Sequence, residues 1–292
     1  MGIAFPAIDP VAFAIGPLEF RWYALAYLVA FLAGWRLALY LAGLDRPAAT
    51  NAATSAAAGA EKEGAPRRFL SKEAIDDFLP WAILGVILGG RLGYVLFYQF
   101  DYYAAAPFEA LKVWRGGMAF HGGAMGVIIA MIVYSLWGKW PLLRLTDIVC
   151  CVVPLGLFLG RLANFVNGEL YGRVTDVPWG VVFPFGGDLP RHPSQIYQAL
   201  MEGLALFGVM MGLAHCSKIR NMPGILSGVF LIGYGLARVT GEMFREPDAH
   251  LGFLWGGITM GQALSVPMIL FGAGLIVYAC RAARHTPPQG TA

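Results

Sequence analysis

The sequence predicts an all-α integral membrane protein with about seven transmembrane helices, and three observations carry that prediction. Of 292 residues, 58% are hydrophobic and only 13% are charged, whereas an average soluble domain carries roughly 25% charged residues. Apolar runs recur along the chain with short polar breaks, at about the 20-residue length that a hydrocarbon core of about 30 Å demands of a helix. The apolar–polar alternation that a membrane barrel needs is absent. There is room for about six to eight spans, and residues 1–292 read as one membrane-embedded domain.

In chain order, the segment Met1 to Phe20 lacks a basic leader and contains Pro6, Pro10 and Pro17. No cleavable signal peptide is expected, and the first span is retained. The candidate spans are Phe20 to Leu41, Leu79 to Tyr98, Met118 to Trp137, Ile148 to Val166, Ile196 to Leu213, Gly224 to Phe244 and Gly257 to Ala279. Between the first two, residues 45–69 are rich in Ala, Thr, Ser, Glu and Lys without periodicity, which reads as a flexible cytoplasmic loop that tolerates deletion. Basic residues set the orientation: Arg46, Lys62, Arg67, Arg68, Lys72, Lys139, Arg144, Lys218, Arg220, Arg281 and Arg284 fall on one side. That side is expected to be the cytoplasm, with the N-terminus outside and the C-terminus inside.

Glycines at small-xxx-small spacing predict close helix packing in lipid: Gly85, Gly89 and Gly93, Gly122 and Gly126, Gly156 and Gly160, Gly224 and Gly228. The four cysteines, Cys150, Cys151, Cys216 and Cys280, form no CxxC pair and read as small buried hydrophobes. A net charge of +3 without a Lys/Arg block argues against nucleic acid as a partner. No metal-ligand spacing is present, and neither a metal nor another cofactor is expected.

Against this apolar background, ionisable residues inside spans call for an explanation, and Arg91, Arg161, Glu202, Arg238 and Glu242 all qualify. Arg238 and Glu242, four residues apart, could simply neutralise each other on one helix face. Where the fourth span ends, a persisting helix would gather Arg161, Asn164 and Gly168 on one face, with Asn167 beside them and Glu169 at the exit. A guanidinium flanked by amides suits a phosphate. His121, among Gly116, Gly117, Gly122 and Gly123, has room to serve as a base near neutral pH or has a structural role. His192 precedes Ser194, which reads as a helix N-cap. Tyr23 follows Arg21 and Trp22, and Tyr234 and Arg245 flank the Arg238–Glu242 pair, all expected toward the outer face.

These stretches resemble a known family. The run Gly160 to Gly172 resembles the signature of the prolipoprotein diacylglyceryl transferases. Phe120-His121-Gly122-Gly123, Arg191-His192-Pro193-Ser194-Gln195 and Arg238 to Asp248 resemble its other hallmark stretches, in the right order from Phe5 to about Ala279. Two features depart from it: the 45–69 loop is long and Phe183 to Pro190 is short. The resemblance implies a seven-helix catalytic domain of the bacterial cytoplasmic (inner) membrane, with a small periplasmic head over 167–195. It implies transfer of diacylglycerol from phosphatidylglycerol to the lipobox cysteine of a preprolipoprotein, just after its signal-peptide hydrophobic region.

Carried over by resemblance, the catalytic group is His121, Arg238, Arg161, Glu242 and Tyr23. Arg161 also binds phosphatidylglycerol, with Asn164, Glu169, Gly172, Arg245, His192 and Tyr234. His121 is the expected base and the two arginines the expected phosphate ligands, without deciding which arginine holds the reacting phosphate. A secondary transporter of an anionic or lipid-like substrate is the alternative, although its usual repeat symmetry is missing.

Overall fold

The structure, a computed structural model, describes residues 2–6, 8–44, 69–247 and 254–285. The 45–69 loop lies almost wholly outside the described residues, as does Asp248. The chain divides into two compact units, residues 39–146 and residues 1–38 with 147–292. All seven expected runs are helical: α1 (Trp22–Leu44), α2 (Lys72–Phe97), α3 (Phe120–Gly138), α4 (Leu142–Val166), α5 (Ser194–His215), α6 (Ile225–Glu242) and α7 (Met260–His285). Six are long and apolar enough to cross a membrane. The exception is α6, whose 18 residues include Arg238 and Glu242. The chain is a multi-pass, mainly helical membrane protein.

In the 39–146 unit, α2 starts at Ser71, whose hydroxyl accepts from the Ala74 amide at 3.1 Å, and Glu73 follows in the first turn. Both features favour a helix N-terminus. The expected glycine packing is realised here. A Cβ on Gly85 would lie 2.7 Å from the Gly126 carbonyl, and one on Gly93 would lie 2.8 Å from Cα of Gly122. Backbone thus meets backbone along the α2–α3 seam, and the Tyr134 hydroxyl donates across it to the Ala74 carbonyl at 2.8 Å.

Arg91 of α2 is buried, and its guanidinium donates to carbonyl oxygens. Nε donates to Ala110 at 2.8 Å, Nη2 to Glu109 at 2.8 Å and Lys112 at 3.2 Å, and Nη1 to Gly116 and Gly117. The guanidinium also lies 5.1 Å from the centre of the Tyr103 ring.

In the other unit, α1 packs on α4 where Gly34 faces Val152, and α6 packs on α7 where Gly228 faces Gly272 and Ile276. Two of the expected glycine contacts are not close approaches. Nothing lies within 4 Å of a Cβ on Gly160, and one on Gly156 reaches only Ala30, at 4.0 Å. Gly224 instead precedes α6 with φ +97°, a turn that glycine makes without strain. Asp147 of α4 closes that end: its carboxylate accepts from the Gly224 amide at 2.8 Å and the Ser227 amide at 2.7 Å, and from the Ser227 hydroxyl at 2.6 Å.

Four short strands qualify the all-α expectation: β1 (Ile3–Ala4) pairs in parallel with β4 (Val181–Val182), and β2 (Val11–Ile15) forms a hairpin with β3 (Leu18–Arg21). Strands of two to five residues are too short to leave a legible alternation. Cys151 is buried as expected, whereas Cys216 is exposed.

Candidate active site

In the unit formed by residues 1–38 and 147–292, charged side chains from α4, α5 and α6 join end to end. Arg161 donates from Nε and Nη2 to Oε2 of Glu202 at 3.2 and 3.0 Å. The other Glu202 oxygen lies 3.7 Å from Nη1 of Arg238, whose Nη2 stands 2.6 Å from Oε1 of Glu242. That same Glu242 oxygen accepts from Nη1 of Arg245 at 3.1 Å. Signs alternate from Arg161 to Arg245, with a guanidinium at each end. The Glu202 side chain is fully buried, while those of Arg161 and Arg238 are 14% and 15% exposed. Burying such charges is tolerable because each carboxylate is shared by two guanidinium groups.

Local backbone explains how Glu202 arrives there. Residues Ala199–Ala205 form a π-helical stretch within α5, a widened turn often found at functional sites. Gly203 permits close packing on α4, since a Cβ there would lie 2.6 Å from Phe158 Cβ. On the same helix Gln195 and Gln198 are fully buried, and neither polar atom of the Gln198 amide has a hydrogen-bond partner among the described residues. From the far side, the start of α7 closes on the pair: a Cβ on Gly261 would lie 2.9 Å from Cδ of Glu242 and 3.1 Å from Nε of Arg238.

The second polar group sits where α4 ends. Asn164 donates to Oε1 of Glu169 at 2.8 Å, Asn167 approaches the same oxygen at 3.3 Å, and the Tyr23 hydroxyl faces the Asn164 side chain. Tyr23 also meets Tyr27, with the hydroxyls 3.4 Å apart. Gly168 does not join Arg161 and Asn164 on the expected shared face. α4 stops at Val166, and Gly168 has φ +67° in the turn that follows. Ser194 does not cap its helix; its hydroxyl donates to the Leu170 carbonyl at 3.0 Å, and the Gln195 amide donates to the Glu169 carbonyl at 2.6 Å. These two bonds tie the start of α5 to the turn that carries Glu169.

Gly172 lies where three backbone segments cross. Its amide donates to the His192 carbonyl at 2.9 Å, it pairs with Arg245, and a Cβ there would sit 2.5 Å from the Phe244 carbonyl and 2.6 Å from that of His192. Arg173 reinforces the crossing, donating to the carbonyls of Arg245 at 3.1 Å and Glu242 at 3.3 Å. Arg191 donates to Gly186 and Gly172 carbonyls and pairs with Glu246 at 3.1 Å. His192 packs edge-on against Tyr197 and Phe244, with Nδ1 3.2 Å from the Tyr197 hydroxyl. Burial pushes its imidazole below the ordinary value.

The structure therefore brings Arg161, Arg238, Glu242 and Arg245 into one network, with Tyr234 one turn before Arg238 on α6. Tyr23, Asn164 and Glu169 form the second group, and Gly172 and His192 belong to the crossing that holds Arg245. His121 is an exposed residue in the first turn of α3, in the 39–146 unit, with its ring edge-on to Phe120 at 5.6 Å. Arg91 stands apart on its carbonyl oxygens. Sequence reasoning named Glu202 only as an intramembrane ion and missed Gln198, Thr259 and Gly261. A signal for the last two existed, because Thr259-x-x-Gln262 ahead of an apolar run marks a capping box. Among the described residues no three His, Cys, Asp or Glu side chains gather as metal ligands would.

Residues 10–278 match the family model described as prolipoprotein diacylglyceryl transferase. A phosphatidylglycerol–prolipoprotein diacylglyceryl transferase of Paramagnetospirillum magneticum is 52% identical over 280 residues, 96% of each chain. Proteins of the same name are 48% identical in Rhodopseudomonas palustris, over 99% of this chain and 96% of the relative, and 50% in Rhodospirillum rubrum, over 99% and 98%. Relatives named as transferases remove the support for a secondary transporter.

Proposed function

This chain belongs to the prolipoprotein diacylglyceryl transferase family, and from that premise we propose that it transfers the diacylglyceryl group of phosphatidylglycerol to a prolipoprotein. The acceptor is the lipobox cysteine thiol of the preprolipoprotein. The setting is the bacterial inner membrane, with the polar groups toward the periplasm.

The observation that supports this reading is the Arg161–Glu202–Arg238–Glu242–Arg245 chain, which gathers three guanidinium groups among apolar helices. Guanidinium groups hold an anionic phosphodiester through paired donors. The sulfur attacks the glyceryl carbon bonded to the phosphate oxygen. The carbon–sulfur bond forms as the carbon–oxygen bond breaks, the electron pair leaves with glycerol phosphate, and the thiol proton passes to a base. Arg238 and Arg161 stabilise the charge that grows on the leaving phosphate, while Glu242, held between Arg238 and Arg245, fixes the direction of Arg238. Asn164, Glu169 and Tyr23 position the headgroup; Gly172, His192 and Tyr234 shape its surroundings.

His121 is proposed as the base on the chemistry of its imidazole. A cysteine thiol titrates near pH 8.5, so His121→Asn is expected to turn over slowly at neutral pH and recover part of its rate as pH approaches that value. An unchanged pH profile would assign the proton to another group. The reaction itself is tested with purified protein, phosphatidylglycerol and a lipobox peptide, followed by mass spectrometry. A diacylglyceryl mass addition is expected, and its absence with active lipid present overturns the function.

A further inference from the structure

We propose that Thr259 is a positioning residue for this reaction: its hydroxyl, at the N-terminus of α7, holds the Glu242 carboxylate and through it the direction of Arg238. The inference rests on the proposed function and extends it to a helix that supplies none of the family-derived site residues.

Thr259 is buried, 3% exposed, immediately before Met260 opens α7. Its hydroxyl oxygen accepts from the Gln262 amide at 3.3 Å, and the Gln262 side-chain oxygen accepts from the Thr259 amide at 3.1 Å. This reciprocal box fixes the first turn of the helix. The hydroxyl proton is left for another acceptor, and the Thr259 side chain faces the Glu242 carboxylate. Gly261 brings the same turn against the pair, because a Cβ there would lie 3.0 Å from Oε1 of Glu242 and 3.1 Å from Nε of Arg238. A carboxylate facing a helix N-terminus is also favoured by the aligned peptide dipoles.

Glu242 is therefore gripped from two sides. Arg238 and Arg245 both reach Oε1, at 2.6 and 3.1 Å, and Thr259 contributes from α7. Without Thr259, the arginines alone set where the carboxylate rests, and Arg238 follows it. Displacing a group that aligns reacting atoms costs up to ~10²-fold in rate.

The test compares three substitutions in full-length purified protein, with kcat and KM for phosphatidylglycerol measured against a lipobox peptide and melting temperature recorded alongside. Thr259→Val is expected to lower kcat by ~10-fold or more with a smaller change in KM, and Thr259→Ser to restore kcat to within about twofold. Thr259→Asp separates positioning from capping, since aspartate caps a helix as well as threonine does but sets a like charge against Glu242. Positioning requires that T259D melt near wild type and lose at least as much kcat as T259V. A T259D or T259V protein with wild-type kcat overturns the inference. Failure of the wild-type protein itself to transfer diacylglycerol overturns the underlying function instead.

Discussion

Arg91 and Arg238 are both arginines in apolar helices, and their surroundings differ in kind. Arg91 is 5% exposed, and its donors fall on the carbonyls of residues 109, 110, 112, 116 and 117, so its charge is absorbed by a short stretch of backbone. Arg238 has two carboxylate neighbours, yet its Nη1 makes no hydrogen bond among the described residues and stands 3.7 Å from Glu202. Neutral carbonyls complete the first guanidinium as a structural clasp. The second belongs to a chain of alternating charges and leaves one of its donors without a hydrogen bond among the described residues. Burial of a charge is therefore not the signal of a site; the inventory of partners is.

The largest expected effect sharpens that contrast. Arg238→Ala is expected to reduce diacylglyceryl transfer by ~10²-fold or more, the scale on which removing one donor to a developing anion acts, while the purified protein remains monodisperse and folded. Near-normal turnover would remove Arg238 from the chemistry. Arg91→Met should act on stability, because it leaves several carbonyl oxygens without their donor, at about 1–3 kcal/mol for each one that water does not reach. A large drop in melting temperature is expected, with activity per folded molecule retained. The comparison breaks if R91M melts like wild type but loses transfer.

The helices were legible in the sequence because span length and apolar character are local properties, and all seven runs fold as helices, although α2 and α4 begin, and α7 ends, more than a turn beyond the expected limits. The fate of each charge was less so. Arg238 and Glu242 do pair at i,i+4, as spacing suggests, but Glu202 enters from another helix through a π turn that no residue pattern announces. The role of Arg91 depends on the path of residues 107–117, an irregular stretch of 3₁₀ turns. Asn164 and Gly168 were expected on one face only on the premise that α4 continued, and the turn after Val166 separates them. The motif resemblance located the functional segments, and only the fold shows which of their side chains meet.

The smallest predicted effect concerns the crossing that carries Gly172, His192 and Arg245. Burial among Tyr197 and Phe244 lowers the His192 imidazole below its ordinary value, so the folded state favours the neutral ring. Below the unfolded value of roughly 6.5, the unfolded chain binds a proton that the folded chain resists. Stability from this residue is thus complete above that pH and declines as pH falls toward the lowered folded value. Arg245 shares the crossing through its pairing with Gly172 and also holds Glu242 at 3.1 Å, so acid loosening should reach the charge chain from the Arg245 end. His192→Gln is expected to flatten the acid limb of a melting-temperature profile between about pH 7 and 5. An acid limb identical in H192Q and wild type would place the titrating group elsewhere and uncouple the charge chain from the protonation of His192.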